Sequence, residues 1–324
     1  MNRKIFKSIL VVMLTLLITA NITISSKAMG IEQFSNEKVI VNEFIDKYHP
    51  GKNYDDIISL YDFNDKISYL LFTLSDSGYV IIDINDKCVV ESGTDNNNFI
   101  KADTNKYYYN GPFAYFIEKD GMLFDLTSQE YIKEKDLKCV TPKKELDYEV
   151  DSSITLYGEV EYGVYLKGTL PNYSYNPNGI CGSTAAAMFL RYWDTWHNGN
   201  YVPSNLQTSN GEALIKRLVP HIDGSSPGSS PDELKNGIQS YLRSQGVNDY
   251  MYSETYGNYR VQERIDNNKP FILGLTNHPT YNEHWVTAYG YFVELGRFKY
   301  IIVNNGWGGS GVYINSSYCD YIVY

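Results

Sequence analysis

Cysteine is scarce. Four residues, Cys88, Cys139, Cys181 and Cys319, are spread over a chain of 324, too few for the bridges that hold a small disulfide scaffold together. Cys88 and Cys139 are open to pairing, and spacing does not decide it. No two cysteines or histidines stand at ligand spacing around a turn, so the sequence carries no zinc site. His278 and His284 are near neighbours, but a lone pair in a loop does not make a metal site, and nothing calls for a cofactor. Blocks of Lys and Arg are missing beyond the N-terminus, and the net charge is −10. That argues against nucleic acid or an anionic membrane as a partner. Long apolar runs are also missing after residue 24, so no later segment is suited to cross a bilayer.

The one apolar run that is present stands at the N-terminus. Asn2, Arg3, Lys4 and Lys7 give a positive start, residues 9–24 an apolar core, and Ser26-Lys27-Ala28 the small residues before a cut. This reads as an export signal cleaved after Ala28, rather than an anchor, because Thr15, Thr19, Asn21 and Thr23 interrupt the run. The product is expected to be secreted, extracellular or at the cell surface, with no membrane attachment after cleavage. The remaining chain is long enough for two domains, each with its own core. Its 31 tyrosines suit core or interface packing, or a polar-tipped binding surface.

The pattern along the chain divides it. Val39, Ile40, Phe44, Ile45 and Tyr48 recur at helical spacing. Strand-like runs follow at 69–74, 79–83 and 88–91, joined by turn residues. Residues 114–117 and 122–126 flank Lys119-Asp120-Gly121, a hairpin signal. These describe a small α+β domain without a catalytic cluster, over residues 29–144. Residues 141–158 turn charged and irregular, giving a linker at 145–158. Residues 159–324 then place helices first (from Cys181, at 211–218 and at 231–244) and apolar strands later (271–275, 285–292, 300–303 and 312–314). For the helix at 231–244, Ser230 is the cap, Pro231 the first position and Glu233 completes a capping box. Helices followed by antiparallel strands imply a two-part α+β fold with a cleft.

Three stretches carry chemistry. In NPNGICGSTAAAMFLRYWD, turn formers give way to strong helix formers at Cys181, so the thiol lies at a helix start, where unpaired N–H groups favour a thiolate. In NEHWVTAYGYFVE, His284 opens a strand. In YIIVNNGWGGSG, Asn304 and Asn305 end a strand and a glycine-rich loop surrounds Trp307. A nucleophilic thiol needs a base that later protonates a leaving amine, and histidine suits both tasks. The imidazole needs a group to fix its tautomer, which an asparagine carbonyl does without adding charge. Trp307 is placed to shield that bond from water.

These blocks resemble the papain-fold cysteine peptidases, and among them the bacterial streptopain and bacteriocin-leader-peptidase-like families. CGSTAAAMFLRYWD is similar to the Cys-helix block of the latter. NNGWGGSG resembles the Trp-Gly-Gly loop of the former and the Asn-Ser-Trp-Gly of papain. GYVIIDINDKCVVESG resembles a stretch of streptopain-type inhibitory prosegments. The resemblance implies a papain-like catalytic domain, a helical part plus an antiparallel sheet, over 159–324, preceded by a small α+β prodomain. It also implies Cys181 as nucleophile, His284 as base and Asn305 as the orienting residue. These families place a Gln about six residues before the Cys to hold the oxyanion. This sequence has Tyr175-Asn176-Pro177-Asn178 there, which leaves Asn176 or Asn178 to supply the amide N–H, beside the N–H of Cys181.

The activity expected is peptide-bond hydrolysis through a thioester by an endopeptidase made as a zymogen. Its partners are a protein or peptide substrate and its own prosegment. Transglutaminase-like acyl transfer ranks lower, because such enzymes use Asp as third member and none lies between Glu283 and Trp307. A non-catalytic binding module on a peptidase fold is favoured by the missing Gln and opposed by the intact Cys, His and Asn.

Overall fold

The helical spacing around Phe44 becomes α1, Ser35–Tyr48, which buries Val41, Phe44 and Ile45. The computed structural model describes residues 34–94, 99–101, 103, 105–133, 139–140, 142–143, 161–177, 179–197, 199–224, 228–278, 282–295 and 297–324. The expected export signal at 1–28 and linker at 145–158 lie outside these. Met1–Gly51 and Lys52–Tyr324 are two compact units, with α1 in the first.

The second unit begins with β1 (Tyr54–Tyr61), β2 (Ile67–Leu74), β3 (Tyr79–Asp83) and β4 (Cys88–Gly93). Then come β5 (Tyr107–Tyr109), β6 (Tyr115–Lys119), β7 (Met122–Asp125) and β8 (Glu130–Tyr131). The β6–β7 hairpin turns where the sequence indicated, with Asp120 and Gly121 at φ 55° and 76°, the paired positive values that a tight hairpin turn needs. β1 and β5 were not visible in the sequence. β1, YDDIISLY, is mostly half-exposed and lacks strict alternation.

The C-terminal segment opens with β9 (Tyr162–Tyr165) and then builds α2 (Cys181–Trp196), α3 (Glu212–Ile222) and α4 (Pro231–Ser244). The capping box at Ser230 and Glu233 forms as read. α3 runs past Pro220, beyond the expected end at 218. In the last turn the missing proline N–H removes only one ladder bond, and the helix closes two residues later. β10 (Ser253–Thr255) and α5 (Asn258–Asp266) lead to β11 (Phe271–His278), β12 (Asn282–Glu294), β13 (Arg297–Asn304), β14 (Val312–Asn315) and β15 (Cys319–Val323).

The strands form one sheet in the order β10-β15-β11-β12-β13-β14-β4-β3-β2-β1-β5-β6-β7-β8, with β9 on β12. The fold is α+β, as expected. The segments at 52–144 and 159–324 share this sheet: β14 pairs antiparallel with β4 through Tyr313–Ser92 and Ile314–Glu91.

Two of the hydrophobic cores among the described residues bear on the site. One packs α2, α3 and α4 through Ala186, Leu214, Leu218, Ile238 and Tyr241, and takes in Trp285 of β12. The other lies on the sheet and joins Leu71, Ile81, Tyr109 and Phe113 to Val286, Ile301, Val303 and Ile314. Neighbouring residues of β12 therefore face different cores, as strand alternation requires. The start of β12 lies on the boundary between helical part and sheet.

Candidate active site

Gly179, at φ 75°, turns the chain into α2, which starts at Cys181. From 181 to 190 every residue is buried, so this helix is held on all sides. Small residues allow that: the Thr287 hydroxyl of β12 donates to the carbonyl of Ala185 at 2.9 Å, fixing helix and strand at close range. Cys181 is 1% exposed. The backbone N–H groups of Trp285, the residue after His284, and of Gly182 and Cys181 act on its sulfur and favour the thiolate. Burial pushes the thiol up to about 12, helped by the charge of Asp223, against the pull of those three donors. In this arrangement the group is a thiol at neutral pH.

His284 is the third residue of β12, paired with Leu275 and 1% exposed. Its ring lies flat on Trp307, with centroids 4.7 Å apart and planes 6° apart. The expected shield is therefore in contact with the expected base. On another side Phe113, from the N-terminal segment, meets the His284 ring at 5.3 Å and Trp307 at 6.0 Å. Phe99 meets Trp307 edge-on at 6.0 Å.

Phe113 is held from behind. Its φ is 64°, uncommon for a bulky residue, and its N–H donates to Glu91 Oε2 at 3.2 Å. The fully buried Glu91 carboxylate also accepts from the hydroxyls of Tyr79 at 2.6 Å, Tyr109 at 2.9 Å and Tyr115. Burial pushes Glu91 up from the usual carboxylate range and the four donors pull it back.

Asn305 ends up otherwise engaged. Its Oδ1 accepts from the N–H groups of Trp307 and Gly309, both at 2.9 Å, so here the side chain shapes the Trp307 loop. Asn304, its neighbour, is 2% exposed; its Nδ2 donates to Pro171 at 2.9 Å while Oδ1 has no hydrogen-bond partner. Asn176 is 8% exposed, and both its side-chain polar atoms are buried without a partner. Its Nδ2 would lie 3.4 Å from a Cβ on Gly306, itself at φ 82°. The amide thus reaches the Trp307 loop beside Thr184, close to the start of α2. Asn178 lies outside the described residues. All four cysteines are free. Among the described residues no acidic, Cys or His group could hold a metal, and no helix is long and apolar enough to cross a membrane.

The three blocks read from the sequence are therefore gathered on one boundary: the helix start with Cys181, the β12 start with His284, and the loop with Trp307. Residues 167–320 match the Peptidase_C39 like family. The peptidase-family match is a little under half of the chain and spans all three blocks, so the papain-like cysteine peptidase resemblance holds beyond the short motifs. No curated protein matches the sequence. A solved fragment of prointerpain A from Prevotella intermedia is similar at 14% identity, over 82% of this chain and 97% of that one, with a TM-score of 0.40. A likeness that faint assigns no role to any residue here.

Sequence reasoning missed Phe113, Glu91 and Asp223. Each reaches the site through tertiary packing from a distant element, and none carries a local pattern. The tyrosine-rich composition was the only hint of the Glu91 cluster.

Proposed function

We propose that the chain is an exported cysteine endopeptidase made as a latent zymogen, in which residues 29–144 cover the catalytic groups of 159–324. The observation that carries this reading is the close docking of the Cys181 helix on the His284 strand, where the Thr287 hydroxyl donates to the Ala185 carbonyl at 2.9 Å and the Trp285 N–H acts on the Cys181 thiol. The Cys181 thiolate attacks the scissile carbonyl carbon, and the oxyanion is held by the N–H of Cys181 and the amide of Asn176. The His284 imidazolium protonates the departing amine, leaving a thioester. Water deprotonated by His284 then attacks the thioester, and the acid leaves as the sulfur takes back its charge.

The state described is a resting one on this reading. Cys181 is uncharged, and Phe113 covers one side of the His284 ring. Removal of the prosegment frees that side, and in the active form an asparagine carbonyl, of Asn305 or Asn304, orients His284.

The test compares the 29–324 protein with its Cys181→Ala variant for peptide hydrolysis and for change in size on standing. The wild type is expected to hydrolyse peptides once shortened, and the variant to remain inert. Equal turnover in both would remove Cys181 from the mechanism. Absence of turnover and of thiol-probe labelling in the shortened wild type would favour the non-catalytic binding module.

A further inference from the structure

A helix whose first turn carries a reactive group needs its exposed N–H groups satisfied. α2 cannot do this locally, because its cap residue is Ile180, with no side-chain acceptor. The acceptor comes from elsewhere. Asp223, the residue that closes α3, is 6% exposed. Its Oδ2 accepts from the Ser183 N–H at 3.1 Å and from the Ser183 hydroxyl. Oδ1 is buried without a hydrogen-bond partner, and so is the Oγ of Ser229. Both crowd Gly182: a Cβ there would lie 3.1 Å from Asp223 Oδ1 and 2.5 Å from Ser229 Oγ. The carboxylate thus grips the residue two beyond Cys181 and abuts the residue between.

We propose that Asp223 is a positioning residue for Cys181, fixing the first turn of α2 through Ser183 and opposing thiolate formation while its carboxylate is charged. The inference rests on the reading of Cys181 as the nucleophile. The groups around Asp223 are few. From α2 come Cys181 and Ser183, and from the 228–230 loop comes Ser229, whose carbonyl accepts from Trp285 Nε1 of β12 at 2.8 Å. His284 precedes Trp285 on that strand. On its own helix the titratable or charged neighbours are His221, whose Nδ1 lies 3.1 Å from Ser240 Oγ of α4, and Arg217, which acts on His221.

Burial raises Asp223 to about 6, with the two Ser183 bonds pulling the other way. Above that pH the carboxylate is ionised and resists a second negative charge on Cys181. Below it Asp223 is neutral and the resistance vanishes, while the Ser183 contact persists through the remaining carbonyl oxygen. Asp223→Asn keeps an acceptor of the same shape and removes the charge at every pH.

The experiment alkylates the full chain with iodoacetamide between about pH 5 and about pH 8 and follows the Cys181 peptide by mass spectrometry. The rate ratio of Asp223→Asn to wild type is expected to be near one at about pH 5. It should climb to roughly 3–10-fold above about pH 7, the effect of one nearby charge on a thiol. The midpoint should fall at about 6. A ratio that does not change with pH, or equal rates throughout, including no reaction of Cys181 in either protein, would overturn the assignment. Ser183→Ala is the second variant: it keeps the carboxylate and removes a donor, so the inflection in the alkylation profile should move to higher pH. An unmoved inflection counts against the Ser183 link. None of these rates requires peptide hydrolysis, so a shortened chain inert toward peptides, with the pH-dependent ratio still present in the full chain, would sink the peptidase reading and leave the Asp223–Cys181 link standing.

Discussion

At the scale of single residues, Cys181 is the proposed nucleophile and contributes little volume. Cys181→Ala is expected to abolish peptide hydrolysis in the shortened protein while moving the thermal midpoint little, which activity assays beside a melting curve will check. Asn305 has an observed loop contact to separate from its proposed orienting role. Its carbonyl holds the N–H groups of Trp307 and Gly309, so Asn305→Ala should lose about 1–3 kcal/mol of stability through two orphaned donors and retain a residual rate. His284→Ala should lose nearly all activity. If Asn304→Ala depresses the rate more than Asn305→Ala without a comparable fall in stability, the orienting carbonyl belongs to Asn304. Asp223 makes a separate prediction about pH. Its folded value, about 6, lies above the ordinary 3.8, so its contribution to stability is complete below the unfolded value and is lost as pH rises through 6. Between about pH 4 and about pH 8 the wild type should therefore lose up to about 3 kcal/mol relative to Asp223→Asn, read by urea unfolding at both ends. A constant difference would show that the carboxyl does not titrate with folding.

At the scale of elements, what was legible in the sequence was whatever local patterning specifies. The capping box at Ser230 and Glu233 gave α4 to the residue, and Ser230→Ala should cost about 1 kcal/mol of stability. The turn formers before Cys181 and the glycines around Trp307 fixed two of the three elements that meet at the site, and the apolar run from Trp285 fixed the third. Hidden was everything set by register between distant strands. That Glu91 would end up opposite Ile314, or that β5 would pair parallel with β1, depends on the whole sheet. Asn305 stood out as a candidate from its place before Gly306 and Trp307, but the sequence did not show that its carbonyl would turn into its own loop. The Phe113 contact is open to test at this scale: Phe113→Ala in the 29–324 protein should speed labelling by a thiol-directed peptide probe, and Glu91→Ala should do so by freeing Phe113. Unchanged labelling in both would mean that Phe113 is packing alone.

At the scale of the whole molecule, the proposed zymogen puts prosegment and catalytic segment in one chain at a high effective concentration for each other, so covering should be strong before a cut in the linker and weaker after it. The uncleaved 29–324 protein is expected to react slowly with the peptide probe and the segment from about residue 158 quickly, with isolated 29–144 restoring slowness in trans. Equal labelling of the long and short forms would turn the N-terminal segment into a substrate- or wall-binding module instead. The proposed maturation would have a further consequence, because β14 is an interior strand only while β4 lies beside it. Once the N-terminal segment departs, Tyr313 and Ile314 face water with backbone groups that had been paired, and a freshly bared edge is a template for any other strand. The shortened chain should therefore self-associate with rising concentration, visibly on size-exclusion chromatography, and Tyr313→Lys should keep it monomeric: on the proposed reading, the cut creates a colloidal hazard that the uncut chain never meets.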